Sequence, residues 1–418
     1  MLQSHGSQVQ AADQASGRFA RTPVLRMENR IVKERRLKVL FNSFQSNRSG
    51  APRLLHHIVS HIDREHFEPY IVFANDGPIV QEFVRIAPTF VIQEQQARIL
   101  PFPMRWRVQQ YVRERKLKKI IDRISPDVIY LNTTGQNYAS DWLLKAEQPK
   151  IVHFHEIDNE VMRLNDNWLR RLVLNIDENI VCSKAVSQFV VQCLGVEESK
   201  VHTVYGAVPV LDILHNAESI RASEVKQALG LASAAILIGA VGKPSFRKGV
   251  DLFVQASAIV HATRPDLDIH FMWVGGHDKI HKQLYMESMR RLVMSGGLSG
   301  RFHWIQEVDN PIQYQVCMDA CIIPSREDPF PLAMLESMLV GTPVIGFAVN
   351  GVSEALDDGR GVLVQSVNAE ELAQSILNFL SEPHLWGEYS QKAKDFVMLN
   401  CDISRNVKRI EELLSVLV

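Results

Sequence analysis

From Leu37 onward the chain alternates short apolar runs with longer segments whose apolar residues recur at helical spacing. The runs Leu37–Phe41, Tyr70–Phe73, Asp127–Leu131, Ile151–Phe154, Asn179–Cys182 and Val201–Tyr205 read as strands, with helical segments such as Arg53–Ile62 between them. Short β-rich runs that are apolar throughout, each followed by a helix, predict a parallel sheet covered on both faces. The pattern breaks over Pro209–Leu231, which carries the polar helix-like run AESIRASEVKQAL. It then resumes with Ala235–Val241, Ile269–Val274, Phe302–Ile305, Ala320–Pro324, Val344–Phe347 and Gly361–Val364. The expected fold is therefore α/β, with two parallel-sheet domains facing a central cleft. One domain spans 36–208 and the other 209–385, and helices at Trp386–Leu399 and Ser404–Leu417 return to brace the first. Ligands of such sheets bind beyond the carboxyl ends of the strands.

Residues 1–35 are polar and without a sustained period, and they lack the apolar centre of a signal peptide. They predict a disordered lead-in with a helical tendency near Val32–Arg36. A length of 418 residues suits two domains of roughly 200 residues each. The net charge of −1 gives no bulk electrostatic case for nucleic acid. No apolar run approaches the ~20 residues a bilayer span needs. Five cysteines are too scattered for a disulfide framework. Cys317 and Cys321 sit in an apolar segment and read as buried thiols, so a reducing cytoplasm is expected. One segment complicates that location. Arg105–Ile124 is a basic amphipathic helix, with Val108, Tyr111, Val112, Leu117, Ile120 and Ile121 on its apolar side. It is either a solvated surface helix or a dock for an anionic membrane face, which would place the protein peripherally at the inner face of the membrane.

Four loops at strand ends carry candidate chemistry. Pro324–Phe347 reads as a strand end, an acidic loop, a helix from about Pro331 to Val340, and a second strand. Pro331 suits the first helical position and Gly341 the position past the end. Leu332, Leu335 and Leu339 form its buried stripe, with Glu336 beside that stripe and Asp328 just before the helix N-terminus. These two acids suit different hydroxyls of one ligand whose phosphates lie between them; the alternative is a solvated glutamate and an ordinary loop aspartate. The loop Gly242–Gly249 sets Lys243 and Lys248 between a strand and a helix beginning near Val250, which suits a diphosphate. No Walker A pattern is present. Asn47–Ala51, with Gly50, either brings backbone close to a phosphate or is a tight turn. His153-Phe154-His155-Glu156 ends a strand with both histidines on one side.

Together these residues resemble the retaining glycosyltransferases of family 4, which have the GT-B fold of two Rossmann-like domains. The resemblance covers roughly Leu37–Leu417. It is most specific where Pro324-Ser325 is followed by Asp328, Phe330, Leu335, Glu336, Met338, Gly341, Pro343 and Val344. Asp328 stands where the family has a glutamate, seven residues before Glu336. Lys243 stands where the family has arginine, His155-Glu156 matches its His-Asp element, and Gly50 its glycine-rich first loop. Tyr205-Gly206 replaces Asn-Gly before the interdomain linker. The resemblance implies sugar transfer from a nucleotide diphosphate sugar to a saccharide or lipid-linked acceptor, with no cofactor and no metal. In that scheme Glu336 binds ribose, Asp328 the donor sugar, and His155 lies near the reacting centre. Lys243 and Lys248 meet the diphosphate, and the N–H groups of Phe330, Leu332 and Ala333 hold sugar or phosphate. The acceptor would meet first-domain loops near Asn42–Arg48, Glu94–Arg105 and Asn132–Asn137. A nucleotide-sugar epimerase, or a non-catalytic nucleotide-sugar-binding protein, is the alternative on the same fold.

Overall fold

A computed structural model of the protein describes residues 35–43, 45–92, 102–133, 142–157, 166–276 and 280–418. All but the last residue of the expected lead-in 1–35, and most of the loops 94–105 and 132–137, lie outside these. Arg36–Val418 form one compact unit.

The apolar runs form thirteen strands in two sheets. The first contains β1 (Leu37–Ser43), β2 (Phe67–Phe73), β3 (Thr89–Val91), β4 (Val128–Asn132), β5 (Lys150–Phe154), β6 (Glu178–Val181) and β7 (Val201–Thr203), in the order β3-β2-β1-β4-β5-β6-β7. The second contains β8 (Ile236–Val241), β9 (Ile269–Val274), β10 (Phe302–Ile305), β11 (Ala320–Ile323), β12 (Val344–Phe347) and β13 (Val362–Val364), in the order β10-β9-β8-β11-β12-β13. Every pairing within the two sheets is parallel. β3 went unanticipated, because three half-buried residues at a sheet edge leave no apolar run.

Alternation along the strands explains why the runs look apolar throughout. Val39 and Phe41 pack into one layer and Leu40 into the opposite one; Ile238 and Ala240 likewise oppose Leu237. One apolar cluster is continuous from the first sheet (Leu40, Val152) to the second (Leu237, Cys321), so the two domains share a core. Cys317 and Cys321 are buried free thiols, as expected.

In both sheets the strand order reverses beside one strand. β1 lies between β2 and β4, and β8 lies between β9 and β11. At such a switch point the crossovers leave on opposite faces and open a crevice. The loops after β1 and β8 occupy these crevices, and they are two of the four singled out by composition.

Four expected details differ. The first-domain helix is Gly50–His61, beginning three residues early because Pro52 fits a first helical turn. The helix after the acidic loop is Leu332–Leu339, with Pro331 extended at its N-cap rather than inside it. That helix is also buried beyond a stripe: Met334, Leu335, Ser337, Met338 and Leu339 are all enclosed, because the Trp386–Asn400 helix covers it. Bracing of the first domain falls to the last helix, Ile403–Val416, whose Ile403, Val407, Ile410 and Leu414 enter the β1 core.

Candidate active site

The acidic loop and the lysine loop are built against each other. Gly249 has φ +66°, and a Cβ there would stand 1.8 Å from the Pro324 carbonyl oxygen, so only glycine admits this approach. Arg326 reaches back across the contact. It makes a two-pronged ion pair with Asp251 (2.8 and 2.7 Å) and covers the Phe246 ring at 3.8 Å. Arg247 donates to the Glu327 carbonyl at 2.8 Å. On the far side, Gly351 lets backbone pass where a Cβ would sit 1.8 Å from the Pro329 oxygen.

This framework places Asp328 in a buried cation site. Lys248 Nζ lies 2.5 Å from its Oδ2, Ser325 Oγ donates to the same oxygen at 2.9 Å, and Arg247 stands 3.9 Å from Oδ1. Burial alone would push the carboxyl up. The charges of Lys248 and Arg247, with the hydrogen bonds, outweigh that and hold it below the ordinary aspartate range. Lys248 is thus engaged by a residue expected to hold a different part of the ligand. Glu327 is also buried, but it is Asp328 that Lys248 grips.

Glu336 behaves oppositely. Burial raises its pKa, against the pull of Arg53 and the Gln315 amide. Gln315 itself donates to the Ala333 carbonyl (2.9 Å) and Ser337 Oγ (3.0 Å), fixing the helix face that carries Glu336. Lys243 is exposed and makes no ion pair or hydrogen bond among the described residues. The Trp273 indole donates to the Gly242 carbonyl at 2.9 Å and anchors that end of the loop. The N–H groups of Phe330, Leu332 and Ala333 have no hydrogen-bond partner among the described residues. Phe330 stacks on Tyr205 (ring centroids 5.2 Å, 15°), so the residue replacing the family's asparagine supports the acidic loop.

Across the cleft, the ends of β4 and β5 hold a polar network. His155 Nε2 donates to Asn132 Oδ1 at 2.8 Å, and Asn132 Nδ2 donates to the Ala51 carbonyl at 3.1 Å. Asn132 thereby ties His155 to the first turn of the Gly50–His61 helix and leaves Nδ1 as its acceptor nitrogen. Burial pushes His155 down to about 3, so the ring is neutral. The His153 ring lies beside it, tilted by 42° with centroids 4.0 Å apart, and meets the Tyr130 hydroxyl at 2.6 Å. A Cβ on Gly50 would meet no atom within 4 Å, so its backbone faces open space.

The expected residues therefore fall into two groups. Lys248, Asp328 and Glu336 line the second-sheet crevice, with Lys243 at its edge; Gly50 and His155 line the first. Arg247, Gln315 and Arg53 were not assigned roles from sequence, Ser325 entered only through the Pro324-Ser325 match, and Asn132 only as the start of an acceptor-side loop. Arg247 carried a signal as a third cation beside Lys243 and Lys248.

Two family models match the chain in succession. Residues 48–210 match Glycosyltransferase Family 4, and residues 235–382 match Glycosyl transferases group 1. The chain belongs to this glycosyltransferase family. Among curated relatives, the Rhizobium meliloti lipopolysaccharide core biosynthesis mannosyltransferase LpsB is 27% identical over 190 residues, 43% of this chain and 52% of that protein. The Kribbella flavida D-inositol 3-phosphate glycosyltransferase is 26% identical over 222 residues, 51% of this chain and 49% of that protein. The chain thus spans about half the length of the curated relatives it matches. Anabaena HepE in complex with UDP-glucose superposes with a TM-score of 0.76 at 21% identity, covering 91% of this chain and 100% of that one. The two share the GT-B fold.

Proposed function

We propose that this glycosyltransferase moves a hexose from a nucleotide diphosphate sugar to a hydroxyl of a saccharide or lipid-linked acceptor, with retention at the anomeric carbon. The observation that carries the reading is the packing of the Gly242–Gly249 loop onto the acidic loop at the β8/β11 switch point, with a neutral His155 beyond the end of β5 in the other sheet. The UDP-glucose bound by Anabaena HepE supports a uridine donor, and the mannosyltransferase among the relatives keeps other donors open.

In this reading Glu336 accepts from the ribose hydroxyls and Asp328 from hydroxyls of the donor sugar. Lys243 and Lys248 face the diphosphate. As the bond from the anomeric carbon to the phosphate oxygen breaks, charge grows on the leaving group, and the two ammonium groups stabilise it. That charge compensation, supplied by side chains, supports a transfer without metal. The free N–H groups of Phe330, Leu332 and Ala333 suit oxygens of the sugar or phosphate. A neutral His155 offers a hydrogen bond at the sugar without repelling developing positive charge at its carbon. The acceptor oxygen bonds to that carbon on the face the phosphate leaves, and its proton passes to the leaving phosphate oxygen. An epimerase would release an altered sugar with no acceptor, and the family match favours transfer.

The test is to supply UDP-, GDP- and ADP-hexoses with saccharide acceptors and read the product's anomeric configuration by NMR. Retention is expected. An inverted product contradicts the mechanism.

A further inference from the structure

The helices of the first sheet carry a second cluster of cations that the transfer chemistry does not use. Arg48, Arg53, His56, Glu82 and Arg85 line a cavity of about 430 Å³, closed on one side by Asp309 from the loop after β10. The cavity thus lies between the two sheet domains. Its two acids are both spent on one residue: Arg48 meets Glu82 at 2.8 Å and Asp309 at 2.5 Å. Arg53 and Arg85 remain, and neither guanidinium has an ion pair or hydrogen bond among the described residues. His56 lines the same cavity, with burial lowering its pKa, so it acts as a neutral hydrogen-bonding group. The cavity adjoins the donor crevice, because Arg53 is close enough to Glu336 to draw its carboxyl down.

Two guanidiniums facing one concave space, Arg85 without a charge partner and Arg53 with only the Glu336 carboxyl nearby, match the two charges of a phosphate monoester, whose oxygens accept the paired N–H groups of each fork. The volume exceeds what a bare ion fills and suits a sugar ring beside the phosphate. These cations are separate from Lys243 and Lys248, which stand on the second sheet's loop.

We propose that this cavity binds the phosphate monoester of the acceptor, through Arg53 and Arg85. The acceptor role rests on the transferase reading; the binding does not. The phosphate belongs to a soluble sugar phosphate or to a lipid headgroup, and two probes separate these sources.

Calorimetric titration of the full chain, without any sugar nucleotide, compares glucose 6-phosphate, glucose and a short-chain phosphatidic acid. Wild type is expected to bind one phosphate probe about tenfold or more tightly than glucose, and Arg53→Gln or Arg85→Gln to remove most of that preference. Whichever probe binds identifies the source. Arg85 is exposed, so its substitution does not threaten folding. Equal binding of all three probes by wild type overturns the site, as does a preference that both variants keep. With no donor present, this failure is distinct from a failure of donor turnover. In a transfer assay the Arg85→Gln defect should fall on the acceptor KM; a defect confined to the donor KM would overturn the acceptor role.

Discussion

Asp328 is a carboxylate taken almost wholly out of water, and it stays ionised because Lys248, Arg247 and Ser325 converge on it. Removing one partner leaves the other's charge uncompensated. Lys248→Ala and Asp328→Asn should therefore each lower stability, and the double variant should lose less than the sum. Thermal and denaturant unfolding of the three proteins should give a coupling of roughly 0.5–3 kcal/mol; strict additivity would mean the pair is held by the loop rather than holding it. Glu336 predicts a pH effect of the opposite kind. Its pKa is raised by burial, so on acidification it protonates earlier than an ordinary glutamate. Protonation removes an acceptor for the ribose hydroxyls, so nucleotide affinity should fall as pH drops through that raised value. In Glu336→Gln affinity should be low throughout and this step absent, which titration with UDP across the acidic range would show. His155 adds no step between pH 5 and 8, since burial holds its pKa at about 3.

At the scale of elements, the site depends on two glycines that allow loops to touch. Gly249→Ala and Gly351→Ala would each drive a methyl group into a carbonyl oxygen of the acidic loop, at Pro324 and Pro329. Overpacking of this kind costs typically about 1–3 kcal/mol, and it should displace Asp328, so both variants should lose nucleotide binding along with stability. Unchanged binding in both would show that the loop spacing does not set the site. The sequence made the strand runs, the lysine loop and the Asp328–Glu336 spacing legible, because buried parallel strands and strand-end loops leave local signals. It did not show that Lys248 and Asp328 pair, nor that Asn132 orients His155, since those contacts join residues 80 and 23 positions apart. The basic helix was legible as well, but not how far the core covers it. Leu117 and Ile121 are buried, yet Val108 and Tyr111 are 44% and 58% exposed, so the apolar side leaves the core toward its N-terminal end. Periodicity marks an apolar face but not where its neighbour stops.

For the whole molecule, two sheets meet around one cleft and are tied across it by a few polar contacts. Glu354 takes the Tyr205 hydroxyl and the Lys184 N–H, and Arg48 meets Asp309. Among the described residues no helix is long and apolar enough to cross a membrane. The exposed Val108 and Tyr111, on a helix rich in lysine and arginine, instead predict reversible docking on an anionic surface. Each basic residue near such a surface contributes roughly 1 kcal/mol, screened by salt. Co-sedimentation with anionic liposomes should be salt-sensitive and should fall when Arg113, Lys116 and Lys119 are changed to glutamate; equal, negligible sedimentation at low salt would leave an ordinary solvated helix. If the β8/β11 crevice turns over a nucleotide diphosphate sugar, nucleotide release from UDP-, GDP- and ADP-hexoses should separate wild type from Lys248→Ala and Glu336→Gln, with folding of each verified by circular dichroism. Wild type should release nucleotide from at least one donor, in excess chelator as well, and both variants should lose tens- to thousands-fold, on the order of 2–5 kcal/mol. Folded variants that release nucleotide at the wild-type rate would contradict turnover in this crevice.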